Sequence, residues 1–128
     1  MKNRLVLASN SPRRKELLRG LGIDFEVRLI RDIDESYPAA LPVNDVAVHI
    51  SKAKAGAYLD TMAENEVVLT ADTVVVCDGQ ILGKPQDAED ARRMLGLLSG
   101  KSHEVITGVT LSTLQWQRSF AVTTVVWF

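Results

Sequence analysis

The sequence has one cysteine, no long apolar run and no excess of positive charge, and each lack excludes a class of protein. The lone Cys77 excludes an intramolecular disulfide framework and is typical of a reducing compartment. No stretch approaches the roughly 20 apolar residues needed to cross a bilayer, and the apolar run near the N-terminus is shorter than that of a secretory signal. The net charge of −1 is unlike that of proteins that bind long nucleic acids. We therefore expect a soluble, cytoplasmic protein that binds neither membranes nor long nucleic acids.

Several catalytic motifs are also missing. The sequence contains no GxGxxG, HExxH or GxSxG, and segment 96–102 (GLLSGKS) is one residue short of a phosphate-binding loop and follows a predicted helix. His49, His103 and Cys77 have no further metal ligands at suitable spacing, so we expect them to be structural. These motifs therefore assign no function.

The length of the chain and its predicted helices and strands indicate one α/β domain, because 128 residues can form a single hydrophobic core. Capping residues and apolar positions at helical spacing predict helices from Ser11-Pro12 onward, from 43 to about 62, and from Asp87 to Gly100. Residues 31–42 are predicted to form a loop. Short apolar or alternating runs and the Asp78-Gly79 turn predict strands at 4–8, 25–30, 67–77, 80–82, 105–114 and 120–128.

The sequence ends on AVTTVVWF, a β-prone run without charge (121–128). An uncovered apolar strand can pair with other chains, so proteins normally cover it. Two interpretations remain open: a last strand buried in the sheet, or a chain that continues in the complete protein. We favour the second interpretation.

The first candidate site is the turn SNSPRRK (9–15) between the first strand and the first helix. Arg13, Arg14 and Lys15 place three cations at a helix N-terminus, where the helix dipole disfavours positive charge. A bound phosphate would offset this repulsion, with serine hydroxyls and free backbone N–H groups as further donors. A solvated basic turn explains the same charges equally well, so both interpretations stay open.

The second candidate is Asp72, which interrupts the apolar strand 67–77. A carboxylate in such a strand is unfavourable unless it pairs with a cation, a metal or hydrogen-bond donors. Acids placed in this way are frequently general bases or metal ligands. A structural aspartate beside a bulge is the alternative, and we favour the functional interpretation.

Two lysines and one glutamate extend this candidate site. Lys84 follows the predicted hairpin and returns toward Asp72, whereas Lys54 lies near the apolar stripe of the second helix and Lys52 faces elsewhere. Such a lysine either extends its ammonium into solvent or binds phosphate, and the nearby cations favour phosphate. Glu35 in the acidic loop DIDES is predicted to share a divalent cation with Asp72, although alone it would be a solvated loop acid.

Three blocks together carry a resemblance to a known family: LASNSPRRKELL, LTADTVVVCDGQILGKPQDAEDARRML and LSGKSHEVITGV. In this order and spacing they resemble the Maf family of nucleotide pyrophosphatases, from about Leu5 through Phe128. The resemblance implies an elongated mixed β-sheet flanked by helices, with two lobes and a central cleft, similar to the inosine triphosphate pyrophosphatases. It also implies a divalent metal, usually magnesium or manganese.

The resemblance implies a role for each matching residue. Asp72, in the ADT motif, matches the family's proposed proton acceptor, and Glu35 matches an acidic residue near the metal. The SPRR and ADT motifs resemble the branch acting on dTTP and UTP, whereas the 7-methyl-GTP branch usually has tryptophan after SP and SDQ in place of ADT. The matching substrate-binding positions are Arg13 and Thr73 for base selection, and Ser9, Arg14, Lys54 and Lys84 for the phosphates.

The expected function is hydrolysis of a nucleoside triphosphate to its monophosphate and pyrophosphate, and the resemblance also implies a homodimer. Family members normally continue with a DKAGAYGIQG-like segment whose glutamine helps to select the base, and the chain ends before it. Residues 1–128 are thus expected to form a single Maf-like domain truncated at its C-terminus. The alternative is a nucleotide-binding or cell-division regulatory module with weak or lost catalysis, since the family has been linked to septum formation.

Overall fold

A computed structural model describes residues 4–30, 33–82, 87–98 and 102–127. Leu59–Thr61 adds a 3-10 turn after the second helix. In chain order the elements of these residues are β1 (Arg4–Leu7), α1 (Pro12–Gly20), β2 (Phe25–Val27), α2 (Val43–Tyr58), β3 (Glu66–Cys77), β4 (Gln80–Leu82), α3 (Ala88–Leu98), β5 (Ser102–Ser112) and β6 (Gln117–Trp127).

The strands form one mixed sheet, in the order β2-β1-β3-β5-β6, with β4 also paired to β3. β1 pairs in parallel with both β2 and β3, whereas β3 pairs antiparallel with β4 and β5, and β5 with β6. The predicted α/β class with a mixed sheet is confirmed. Within the described part of the chain, no helix is long and apolar enough to span a membrane.

The core lies between α2 and one face of the sheet. Because side chains alternate along a strand, Val68, Val74 and Val76 of β3 all point to the face that α2 covers. One buried cluster joins α2 to β3 and β5, and a second joins Tyr58 of α2 to Val6 and Val68. The members of the first cluster are Val46, Ala47, Ile50, Val74, Val76 and Ile106.

Hydroxyl groups join α2 to three strands inside this interface. The Thr70 hydroxyl donates to the Ser51 carbonyl oxygen at 2.7 Å, and the Ser51 and Thr110 hydroxyl oxygens lie 2.6 Å apart. The Thr110 hydroxyl also contacts that of Ser119 on β6, at 2.8 Å. Since each of these buried groups has a partner, they fix the position of α2 along β3 and β5 without the penalty of unpaired polar atoms.

Gly108 on β5 lets α2 approach the sheet closely. It lies opposite Asp72 in the β3–β5 register. A Cβ atom at this position would overlap backbone atoms of Ala47 and Val48 in α2. The helix backbone therefore rests directly on the strand at the level of Asp72, which only glycine permits.

A cluster of ion pairs lies at the N-terminal end of β3. Glu66 is only 5% exposed, and its two carboxylate oxygens accept hydrogen bonds from Arg28 at 3.0 and 2.8 Å. Arg28 also donates to Glu26 of β2, and Arg4 of β1 bonds the same glutamate. These contacts lower the pKa of Glu66 to about 2, chiefly through the hydrogen bonds from Arg28. The cluster joins β1, β2 and β3 at one end of the sheet.

Most predicted capping and turn residues are confirmed. Ser11 caps α1 by accepting a hydrogen bond from the Arg14 backbone N–H, and Asp87 accepts one from the Asp90 N–H before α3. Asp78 and Gly79 have the positive φ angles, 52° and 76°, of a tight hairpin turn.

The predicted element boundaries were wrong in several places. β5 begins at Ser102 rather than Val105 and ends at Ser112, and residues 113–116 form a tight turn that the sequence did not predict. In that turn the Thr113 hydroxyl oxygen accepts from the backbone N–H groups of Gln115 and Trp116. β2 ends at Val27, three residues early, because the Ile30 backbone N–H donates to the Tyr58 hydroxyl of α2 and not to a strand. Gly100 and Phe128, predicted to end α3 and the last strand, lie outside the described residues.

The Glu66 ion pair makes the fold sensitive to acid. Because the folded-state pKa is depressed from 4.5 to about 2, the stabilisation is present above pH 4.5 and is lost as the pH falls toward 2. We expect Glu66→Gln to lower the free energy of unfolding by roughly 1.5–3 kcal/mol at pH 7, with a smaller difference at pH 3. Urea titrations at both pH values measure this. Exposed Glu64→Gln is the control, and an equal loss at both pH values would contradict the assignment.

Alanine substitutions at two glycines should change the stability of the protein in opposite directions. One glycine contacts α2 and the other lies within it. Gly108→Ala forces a methyl group against the Ala47–Val48 backbone and should destabilise the protein by roughly 1–3 kcal/mol or more. Gly56→Ala places a methyl group in open space on the same helix and should stabilise it by up to about 1 kcal/mol. Thermal unfolding of both variants tests the close approach. A neutral or stabilising Gly108→Ala would show that α2 does not rest on Gly108.

Candidate active site

A cavity of about 400 Å³ opens where the turn after β1, the loop after β2 and helix α2 meet. Four residues predicted from the sequence line it together: Ser9, Arg14, Glu35 and Lys54. They come from three separate segments, so only the fold brings them together. The other lining residues are Ala8, Asn10, Leu29, Ile30, Ile33, Tyr58 and Ala71.

The turn after β1 directs Arg14 toward this cavity. The Ser9 hydroxyl oxygen accepts hydrogen bonds from the Ser11 backbone N–H and from the Arg14 guanidinium, each at 3.1 Å. Asn10 accepts one from the Lys15 ammonium at 2.8 Å. Arg13 is exposed and is not among the residues that line the cavity. The three consecutive cations therefore have different surroundings, and only Arg14 lines the cavity.

Lys54 lies between two carboxylates. Its Nζ is 3.0 Å from Glu35 Oε1 and 3.2 Å from Asp72 Oδ1, and it also donates to the Ala71 carbonyl oxygen at 3.3 Å. The side chains of Lys54 and Asp72 are 20% and 19% exposed, whereas that of Glu35 is 55% exposed. The predicted difference between the lysines is confirmed, since Lys52 is exposed to solvent.

Burial raises the pKa of Asp72, and the neighbouring charges act in both directions. Desolvation is the largest effect, while Lys54 lowers the pKa through its charge and hydrogen bond. Glu35 raises it and Arg14 lowers it. The ionised carboxylate is therefore held at some expense in stability, as is usual for general bases and metal ligands. This is the environment that the apolar flanks of Asp72 predicted.

The loop that carries Glu35 is fixed by Tyr58, a residue that the sequence analysis missed. Tyr58 is buried, and its hydroxyl oxygen accepts a hydrogen bond from the Ile30 backbone N–H at 3.0 Å. Ile30 and Ile33 pack against the cluster around Tyr58. Tyr58 follows Lys54 by one helical turn, so helical spacing was the signal that could have placed it at the cavity.

A second, apolar groove of about 340 Å³ adjoins the first cavity. Arg14 and Ala71 line both. Thr107 lines the groove, and its hydroxyl contacts that of Thr73 at 3.0 Å. The structure thus places Arg13 in the lining of this groove and Thr73 beside it, in contact with Thr107. The complete lining is Arg13, Arg14, Leu17, Leu18, Leu69, Ala71, Thr107 and Val109.

The donor atoms fit a hard divalent cation. Glu35 and Asp72 direct carboxylate oxygens at one position, where the Lys54 ammonium already shows that a cation is accommodated. Mg²⁺ typically takes one or two carboxylates and completes its shell with water and substrate phosphates. Among the residues that the structure describes, no group of three or more histidine, cysteine or acidic side chains is placed to hold a metal. Lys84, the remaining predicted residue, lies outside the described ranges.

Sequence comparison finds one family and several similar proteins. The family model for Maf-like proteins matches residues 4–128. A dTTP/UTP pyrophosphatase of Bacteroides thetaiotaomicron is 55% identical over 119 residues, covering 93% of this chain and 62% of the relative. One of Phocaeicola vulgatus is 52% identical, covering 99% and 66%, and one of Vibrio parahaemolyticus is 48% identical, covering 97% and 65%. The chain thus spans just under two thirds of the length of these relatives.

Solved structures with low sequence identity share the fold. The Ham1 protein of Staphylococcus aureus superposes with a TM-score of 0.69 at 15% identity, covering 96% of this chain and 70% of that protein. A nucleoside-triphosphatase, a dITP/XTP pyrophosphatase of Mycobacterium abscessus, gives 0.51 at 15% identity, covering 95% and 70%. The expected relationship of folds is confirmed.

Proposed function

This chain belongs to the Maf-like protein family, and from that premise we propose that the protein hydrolyses nucleoside triphosphates to the monophosphate and pyrophosphate. We propose dTTP and UTP as its substrates, because relatives about 50% identical carry the name dTTP/UTP pyrophosphatase. The SPRR and ADT motifs support the same choice.

The observation that carries this proposal is the junction of two unlike cavities. One holds cationic and acidic groups, from Arg14, Lys54 and Glu35, and the other is apolar. Arg14 and Ala71 form part of both walls. A nucleotide has the same division, with charged phosphates on one side and a flat base on the other. We place the triphosphate in the first cavity and the base in the groove.

Hydrolysis requires a water oxygen to attack the α-phosphorus while the bond to the β-phosphate breaks and pyrophosphate leaves. Asp72 would accept the proton of this water, a role favoured by its raised pKa. Arg14, Lys54 and Lys84 would hold the phosphates and offset the charge that develops on their oxygens. Ser9 would keep Arg14 in place through the 3.1 Å hydrogen bond between them.

Glu35 and Asp72 would hold the divalent cation, magnesium or manganese, that the family resemblance implies. When bound, it would supply Lewis acidity and additional positive charge near the phosphates. The converging carboxylates of Glu35 and Asp72 and the water-accessible position of Glu35 support this assignment. Arg13 and Thr73 would select the base from the groove side, where Leu69 and Val109 supply apolar contact.

The proposed cellular setting is the cytoplasm, where a lone cysteine such as Cys77 stays reduced. The homodimer implied by the family resemblance stays a prediction. The alternative of a nucleotide-binding or division-regulating module would use the same two cavities, so only catalysis separates it from an enzyme.

A nucleotide panel tests the reaction. With Mg²⁺ or Mn²⁺, we expect dTTP and UTP to give stoichiometric pyrophosphate and monophosphate, with chelator abolishing turnover and 7-methyl-GTP reacting poorly. Separate detection of pyrophosphate and orthophosphate makes the measurement. Release of orthophosphate would overturn the assigned cleavage position, and tight binding without product would favour the regulatory module.

Asp72→Asn separates catalysis from folding. The amide keeps the size of the side chain but cannot accept the proton, so we expect kcat to fall by roughly 10²-fold or more. Burial disfavours the ionised carboxylate and raises the folded-state pKa of Asp72. The free energy of unfolding therefore decreases as the pH rises through that pKa and the carboxyl group ionises. The melting temperature at pH 7 should therefore hold or rise. Exposed Asp60→Asn is the control, and near-normal turnover of Asp72→Asn would leave Asp72 a structural residue.

A further inference from the structure

We propose that Lys54 is a built-in counter-cation, whose ammonium takes the place of the divalent ion between Glu35 and Asp72 until metal and nucleotide arrive. The inference rests on the proposed function, because it uses the same two carboxylates as metal ligands. It adds an exchange: Lys54 and the metal compete for one position, and the lysine then binds the phosphates instead.

The contacts of Lys54 leave little room for a second cation. Its Nζ lies 3.0 Å from the Glu35 carboxylate, 3.2 Å from the Asp72 carboxylate and 3.3 Å from the Ala71 carbonyl oxygen. Two of these contacts are hydrogen bonds, to Asp72 and to the Ala71 carbonyl oxygen, and the contact with Glu35 is an ion pair. A divalent ion bound by the same two carboxylates would lie against the ammonium with strong repulsion. The ammonium must therefore leave before the two carboxylates can share a metal.

The same contacts explain what stabilises Lys54 in this position. Asp72 is only 19% exposed, so leaving it ionised without a cation would be unfavourable. Glu35 adds a second negative charge nearby and raises the pKa of Asp72 further. Lys54 offsets both charges and fixes the loop that carries Glu35 to α2.

The geometry also gives the displaced lysine a destination. Its side chain lines the cavity where we place the triphosphate, as does Arg14. A lysine has a flexible four-carbon stem and can turn its ammonium toward a new anion. With nucleotide present, the lysine exchanges carboxylates for phosphates. Without nucleotide, it would lose its partners, so metal alone should bind weakly, and metal and nucleotide should strengthen each other's binding by the same factor.

Mn²⁺ binding without nucleotide tests the competition directly, with no reliance on turnover. Free Mn²⁺ is measured by electron paramagnetic resonance during titration of the wild type, Lys54→Met and Lys52→Met. Lys54→Met removes the ammonium and keeps an unbranched apolar stem, so we expect it to tighten Mn²⁺ binding by roughly 5–150-fold, the usual range of such coupling. Lys52→Met removes an exposed charge two residues away and should change the affinity less than twofold. Unchanged or weaker Mn²⁺ binding by Lys54→Met would overturn the proposal.

Further variants test whether the competition occurs at Glu35, and they provide a substitute if Lys54→Met does not fold. Lys54→Arg keeps the charge and should not tighten Mn²⁺ binding, whereas adding Glu35→Gln to Lys54→Met should abolish the gain. If Lys54→Met does not fold, Lys54→Gln replaces it with the same expectation. A tightened Lys54→Met together with a wild type that releases no pyrophosphate would retain the exchange and refute the proposed reaction. Unchanged Mn²⁺ binding by Lys54→Met, together with a wild type that releases pyrophosphate, would refute only the exchange.

Discussion

The close contact between α2 and the strands β3 and β5 is the constraint on which the site depends. Gly108 lies beside Asp72 in the sheet, and the α2 backbone rests on it. The hydroxyls of Ser51 and Thr70 fix how far the helix can slide along the sheet. Lys54 is one turn beyond Ser51, so these contacts determine that its ammonium reaches Asp72. The charged site is therefore positioned by uncharged, buried groups that do not line the cavity.

Strand β3 carries two carboxylates with different surroundings, one at its start and one in its middle. The start of β3 is tied to its neighbours by the Arg28–Glu66 pair, in which both carboxylate oxygens of Glu66 accept hydrogen bonds. The middle of β3 places Asp72 where Lys54 is the direct cationic partner, beside an open cavity. Both carboxylates lie on one strand, but the pKa of the first is lowered and that of the second is raised. Hydrogen bonds from a guanidinium dominate at Glu66, and desolvation dominates at Asp72, which distinguishes a structural charge from a reactive one.

Local sequence patterns predicted the residues of the site better than their surroundings. Asp72 was found because it interrupts an apolar run, and Lys54 because helical spacing placed it on the buried side of α2. Both signals are local. Tyr58, Glu66 and Gly108 were missed because their roles depend on partners 28, 38 and about 60 positions away along the chain. The 113–116 turn was missed because it is closed by a threonine hydroxyl, without the asparagine-glycine or aspartate-glycine pair that marks hairpins.

The shared wall of the two cavities, formed by Arg14 and Ala71, has a consequence for product departure. A ligand held at two adjoining sites benefits from a high effective concentration, since each half keeps the other close. On the proposed function, cleavage between the α- and β-phosphates ends this avidity. The monophosphate keeps the groove and few contacts in the charged cavity, while pyrophosphate keeps only the charged cavity. Each fragment dissociates as a monovalent ligand, so the bond that is broken is also the tether that retained the substrate.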